Sequence, residues 1–230
     1  KTMCHKEDLI ELLKTKKIEV LITLGIIGVV SAMTIPTLVK NHQRQVYVTQ
    51  LQKVVNELSQ AAEKAINDSN AISLDETKYR YNENNNVGAA NFLRDYFKIA
   101  KDCGTTLTPC FADSYETLNG ENFTLEEPQA VVSLTSGAAI SIFNNRLEYQ
   151  GIYYDTDHGA FQIQVDINGQ KEPNILGRDL FYMELYSDGK VAETYLMNRE
   201  WEVDVPCAEG YIYGIGCFDT IVNDGWKMDY

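Results

Sequence analysis

Between Val20 and Val39 the chain reads VLITLGIIGVVSAMTIPTLV, twenty consecutive residues without a charge. A helix of that length rises about 30 Å, the thickness of bilayer hydrocarbon. Helices buried in soluble proteins are usually shorter and keep a polar face. The run therefore predicts a membrane-spanning helix. Lys14, Lys16 and Lys17 stand immediately before it, with Glu19 as the nearest acid. That bias places the N-terminal side in the cytoplasm and the rest of the chain across the membrane. A cleaved secretory signal is the competing reading; the run is too long for one and lacks a small-x-small cleavage site.

The helical pattern continues past the run. Val48, Leu51, Val54, Val55, Leu58, Ala62 and Ala65 recur at intervals that trace one stripe on a helix, opposite a face of Gln, Lys, Glu and Asn. Residues 18–67 read as one long helix, apolar all round in its first part and amphipathic in its second. Pro36 removes a backbone hydrogen bond and is expected to kink it. Gly25 and Gly28 each weaken it by roughly 1 kcal/mol relative to Ala.

Beyond residue 67 the pattern changes. Residues 68–90 are rich in Asn, Asp and Glu and read as loop, and Asn91–Lys101 reads as a short helix with Phe92, Tyr96 and Ile99 on one face. Ala130–Leu134 and Ala138–Phe143 flank a Thr-Ser-Gly turn, a hairpin in outline. Phe161, Ile163, Val165 and Ile167 alternate with Gln162, Gln164 and Asp166, the pattern of a half-buried strand. Leu180–Tyr186 is a further strand, ended by a Ser-Asp-Gly turn. The expected fold is α+β: a long N-terminal helix, membrane-spanning in its first half, packed on a small antiparallel β-sheet head. Residues 1–14 form a cytoplasmic leader-like segment, 15–67 the helix, and 68–230 an extracytoplasmic globular head.

Charge divides the same way. Residues 1–67 hold 9 Lys and Arg against 6 Asp and Glu, whereas residues 68–230 hold 11 against 27. So acidic a head repels nucleic-acid phosphates, which are bound by Lys and Arg replacing counterions, and no nucleic acid is expected there. Four of the five cysteines lie in this region as two close pairs, Cys103 with Cys110 and Cys207 with Cys217. Buried thiols and zinc are alternatives, though neither pair has the C-x2-C spacing of zinc sites. Two disulfides fit a head outside the cytoplasm. Of the three pairings, the two local ones are preferred because short loops close cheaply. Asp155, Asp157, Asp166 and Asn168 offer oxygens to Ca²⁺, but the Asp-x-Asn-Gly turn supplies fewer than the six to eight that calcium takes, and an Asx-type turn is the competing reading. No other cofactor is expected.

The segment IEVLITLGIIGVVSAMTIPTLV at 18–39 resembles the N-terminal helix of type IV pilins and type II secretion pseudopilins, which carry a Glu just inside the apolar run and a Pro seventeen residues later, here Glu19 and Pro36. DINGQKEPNILGRDLF at 166–181 and GIGCFDTIVNDGWKMDY at 214–230 resemble the heads of a bacterial subgroup of these proteins. The resemblance implies a filament subunit of the bacterial inner membrane, assembled by membrane machinery with other copies or related pilin subunits. It also implies cleavage by a prepilin peptidase between Gly and Phe. The corresponding residues are Lys14 and Thr15, which depart from that pattern. In the family the Glu is matched by a neighbour's freed N-terminal amine; pairing with Lys16 or Lys17 at headgroup depth is the alternative for Glu19. Gly25, Gly28 and Pro36 would make a segment that melts locally as helices pack in a filament core.

Enzyme signatures are missing: the chain has no G-x-S-x-G, H-E-x-x-H or G-x-x-x-x-G-K-[ST]. The expectation is a non-enzymatic structural subunit of a pilus or pseudopilus-like filament. The alternative is a signal-anchored enzyme or carbohydrate-binding module that does not polymerise.

Overall fold

The computed structural model of the protein describes residues 4–80, 87–143, 148–149, 152–153, 159–193, 207 and 216–230. The chain divides into two compact units, residues 1–44 and residues 45–230. Helix α1, Cys4–Asp68, supplies all the described structure of the first unit and the opening of the second. It begins earlier than the expected start at residue 15.

In the first unit every large apolar side chain from Ile18 onward is exposed, from 48% at Val39 to 73% at Met33. The hydroxyls of Thr23 and Thr34 donate to the carbonyls of Val20 and Val30, both at 2.9 Å, so these two polar groups are satisfied within the helix. Pro36 lies within the helix.

In the second unit the same helix behaves differently. Val48, Leu51, Val54, Leu58, Ala61, Ala62 and Ala65 are buried, the stripe the spacing predicts, with Val55 at its margin and Ala61 added. The chain then makes a 3-10 turn at Leu74–Glu76 and helix α2, Gly88–Tyr96. In chain order the strands are β1 Ile99–Gly104, β2 Tyr115–Glu116, β3 Asn122–Phe123, β4 Pro128–Leu134, β5 Ala139–Phe143, β6 Glu148–Tyr149, β7 Ile152–Tyr153, β8 Gly159–Asp166, β9 Leu180–Tyr186 and β10 Val191–Glu193, followed by helix α3, Cys217–Asn223. Six strands form one antiparallel sheet in the order β1-β4-β5-β8-β9-β10. The α+β class therefore holds, and the 130–143 hairpin and the strand at 180–186 lie where the pattern places them.

Three expectations are corrected. The segment 91–101 is not one helix: α2 ends at Tyr96, Phe97 is extended, and Ile99–Gly104 becomes an edge strand on β4. Its apolar spacing suits a helix, but the open edge of β4 offers a ladder of hydrogen bonds, and tertiary pairing overrides local preference. The segment 68–90 is more than loop, because Leu74, Thr77 and Tyr79 are buried. Strand β8 is not half-buried: Gln162, Gln164 and Asp166 are as fully covered as Ile163 and Val165.

The sheet has cover on both faces. Val132, Ile140, Val165 and Phe181, aligned across four strands, pack with the α1 stripe in the main core. On the other face Val131, Ala139 and Leu180 join Cys110, Phe111, Tyr115 and Leu176 in a second core. A strand covered on both faces no longer needs polar residues for solvent on alternate positions.

Candidate functional site

Two groups of residues emerge, one in each unit. The first is the apolar run of α1. Large side chains of this run are exposed on every side, and none of them is buried within the chain. Fully burying a Val, Leu or Ile side chain is worth about 1.5–3 kcal/mol, so leaving them all in water is strongly unfavourable. The helix is long and apolar enough to cross a membrane. Its backbone polar groups are paired internally except at Pro36, whose missing N–H frees the carbonyl of Ala32.

The expected assembly residues all lie on this helix. Lys14 and Glu19 are exposed, and Thr15 lies beside them on the helical backbone. A Cβ added at Gly25 or Gly28 would meet nothing within 4 Å. Packing inside the chain therefore does not require glycine at either position. The structure brings Glu19 and Pro36 onto one helix but gives Glu19 no ion-pair partner among the described residues.

The second group is the loop 166–180 that joins β8 to β9. Asp166 lies at the end of β8, fully buried. Its Oδ2 accepts from the Tyr115 hydroxyl at 2.5 Å and its Oδ1 from the Asn168 backbone N–H at 3.0 Å, an Asx-type turn. Asp179 closes the loop from the other side. Its carboxylate accepts from the backbone N–H groups of Asn174 and Ile175 at 2.8 and 2.6 Å, and from the Asn168 amide at 3.2 Å. Burial, with Asp179 nearby, pushes the Asp166 carboxyl up to about 7, although the bond from Tyr115 favours the charged form. Burial also raises Asp179 against its backbone donors.

This loop links distant parts of the second unit. Ile175 bridges to Glu116 of β2, and the Tyr230 hydroxyl donates to the Gly177 carbonyl. Gly177 has φ 84°, and a Cβ there would lie 2.6 Å from Cys217 Sγ. Only glycine fits both that conformation and that approach. The motif 166–181 thus has a structural account: a hub between the two cores.

Of the calcium donors expected from the sequence, Asp166 and Asn168 lie together in this loop, whereas Asp155 and Asp157 lie outside the described residues. Both Asp166 oxygens are hydrogen-bonded, while Asn168 Oδ1 has no partner. Among the described residues no group of three or more His, Cys, Asp or Glu is placed to hold a metal ion. Cys103 and Cys110, and likewise Cys207 and Cys217, are paired at disulfide distance.

Another buried carboxylate, away from this loop, escaped the sequence reading. Glu193, at the end of β10, accepts from the Asp219 backbone N–H at 3.0 Å, and Asp219 accepts in return from the Glu193 N–H at 3.3 Å. Burial pushes Glu193 up to about 8. Nothing in a strand ending Val-Ala-Glu marks that carboxylate as a helix cap. For Asp179 a signal existed, since it belongs to the same motif as Asp166.

Comparison of the chain with protein-family models, with curated proteins and with solved structures finds no match.

Proposed function

We propose that the chain is a pilin-like subunit, anchored by residues 18–39 in a bacterial inner membrane and assembled through that helix into a type IV pilus or type II secretion pseudopilus-like filament. The supporting observation is the all-round exposure of a charge-free helical run that carries Glu19 and Pro36 and gives way, in the same helix, to a one-sided stripe buried on an antiparallel sheet. In lipid, apolar surface by itself gives helices no reason to associate; close packing at small residues does. Gly25 and Gly28, with no internal neighbour to accommodate, suit such packing between copies.

Glu19 supplies the register. A carboxylate at the centre of a membrane helix costs roughly 2.5–3.5 kcal/mol, less near the interface. Pairing with a neighbour's N-terminal amine offsets that cost at one axial offset. The partners are other copies or related subunits, the inner-membrane assembly machinery, and a prepilin peptidase acting at Lys14–Thr15. The role is structural rather than enzymatic.

The test combines two readouts in cells that build the filament. Glu19→Ala is expected to leave the protein in the membrane but out of filaments, and the mature N-terminus is expected to begin at Thr15 when the peptidase is present. Normal incorporation of Glu19→Ala, with an uncut N-terminal segment, would instead favour an anchored enzyme or carbohydrate-binding module.

A further inference from the structure

From Val20 to Asn56 the chain contains no Asp or Glu, although its net charge is −13. Within this acid-free stretch stand Lys40, His42 and Arg44. Lys40 and His42 are exposed and Arg44 is partly exposed. None of the three forms an ion pair with another described residue.

Their position along the helix is informative. Lys17 and Lys40 bracket the apolar run, and their Cα atoms are about 35 Å apart at 1.5 Å per residue. Hydrocarbon of about 30 Å therefore places Lys17 and Lys40 at opposite headgroup layers. Arg44 lies one turn beyond Lys40, about 6 Å further out and on the same face, since residues four apart are neighbours on a helix. Lys and Arg stems lie along the apolar surface while their charged ends reach the interface.

We infer that Lys40 and Arg44 form a phosphate-binding pair for an anionic phospholipid headgroup in the extracytoplasmic leaflet, with His42 on the opposite face of the helix. Lys supplies a point charge, and Arg a planar fork that takes two phosphate oxygens at once. In an acidic chain, a basic pair one turn outside the hydrocarbon, on a stretch of helix with no acid of its own, is complementary to lipid phosphate. The pair rests on the membrane-anchored reading of residues 18–39 and adds a lipid partner to it.

The test uses the full chain reconstituted in phosphatidylcholine vesicles doped with spin-labelled phosphatidylglycerol, or with spin-labelled phosphatidylcholine as control. The readout is the fraction of label immobilised by the protein. The wild type is expected to select phosphatidylglycerol. Lys40→Gln with Arg44→Gln loses roughly fivefold in selectivity per basic residue removed, the equivalent of about 1 kcal/mol each. Lys40→Arg with Arg44→Lys keeps it. Equal selectivity in the wild type and the double Gln variant overturns the phosphate-binding pair. So does displacement of the label by inorganic phosphate, which marks a site for free anion. Loss of cross-linking between copies in the double Gln variant, with lipid selection unchanged, overturns it in favour of an acidic protein partner. Release of the wild type from vesicles by alkali sinks the anchor reading itself, and is distinct from retention without lipid selection.

Discussion

Helix α1 is one secondary-structure element with two physical solutions. In the second unit its apolar residues fall on one stripe, and Leu51, Leu58, Ala62 and Ala65 are completely covered by the sheet and its neighbours. In the first unit large apolar residues occupy every side of the run, and among the described residues none of them is buried. Backbone geometry does not distinguish the halves; the period of the apolar residues does. A stripe implies a partner on one side and a polar medium on the other. An all-round pattern implies an apolar medium. The second half carries its burial partner in its own sequence, while the first half requires one from outside.

Truncations separate the two halves most sharply. Leu58→Ala removes a fully buried side chain and is expected to destabilise the second unit by about 2–5 kcal/mol. Leu24→Ala, at a 60% exposed position, leaves that unfolding transition where it is. Thermal unfolding of the detergent-solubilised chain checks both; a large shift for Leu24→Ala would mean that the first half packs on the chain after all.

Charge insertion reverses the sensitivity. Val29→Lys places a cation near the centre of the run and is expected to cost about 2.5–3.5 kcal/mol of membrane insertion, read as the fraction resisting alkaline extraction. Val29→Leu is expected to leave insertion intact.

Acidity sharpens the contrast from the other side, because among the described residues the buried carboxyls lie in the second unit. Asp166 and Glu193 have folded-state values near 7 and 8, above their ordinary 3.8 and 4.5. The folded protein therefore holds their protons more tightly than the unfolded chain. The stability this gives is fully present below the ordinary carboxylate range and is lost as pH rises through about 7 and about 8. The unfolding temperature should fall between about pH 5 and about pH 8.5, by the equivalent of about 1–3 kcal/mol. Asp166→Asn is expected to flatten the lower part of that slope. A rise in stability over the same window would contradict the burial of these groups.

The smallest effect belongs to the exposed pair Lys53–Glu57, 3.9 Å apart on α1. Glu57→Gln should shift unfolding by less than about 0.5 kcal/mol, and high salt should erase the difference.

What could be read beforehand depended on whether the cause was local. The α1 stripe, the 130–143 hairpin and β9 follow from periodicity and turn residues, which act over a few positions. Strand β1 does not, because its conformation is decided by β4, some thirty residues away. Nor does the burial of Gln162, Gln164 and Asp166, which depends on the cover that segments such as 107–125 and 175–180 place over the second face. The apolar run and its flanking lysines are visible as sequence because length and charge are linear properties, whereas Glu19 and Pro36 stand out only through the resemblance to pilin helices. The Tyr115–Asp166 contact joins residues separated by 51 positions and has no linear signature.

The proposed anchor requires that the first half of α1 be covered by lipid or by other copies, and not by its own chain. A photoreactive benzoylphenylalanine at Val29, compared with one at Val54, tests it in membranes of intact cells. At Val29 the account gives cross-links to lipid and to a second copy. At Val54, 2% exposed, it gives cross-links within the chain. An intramolecular cross-link from Val29 to residues 45–230, or reaction there with water alone, would contradict it.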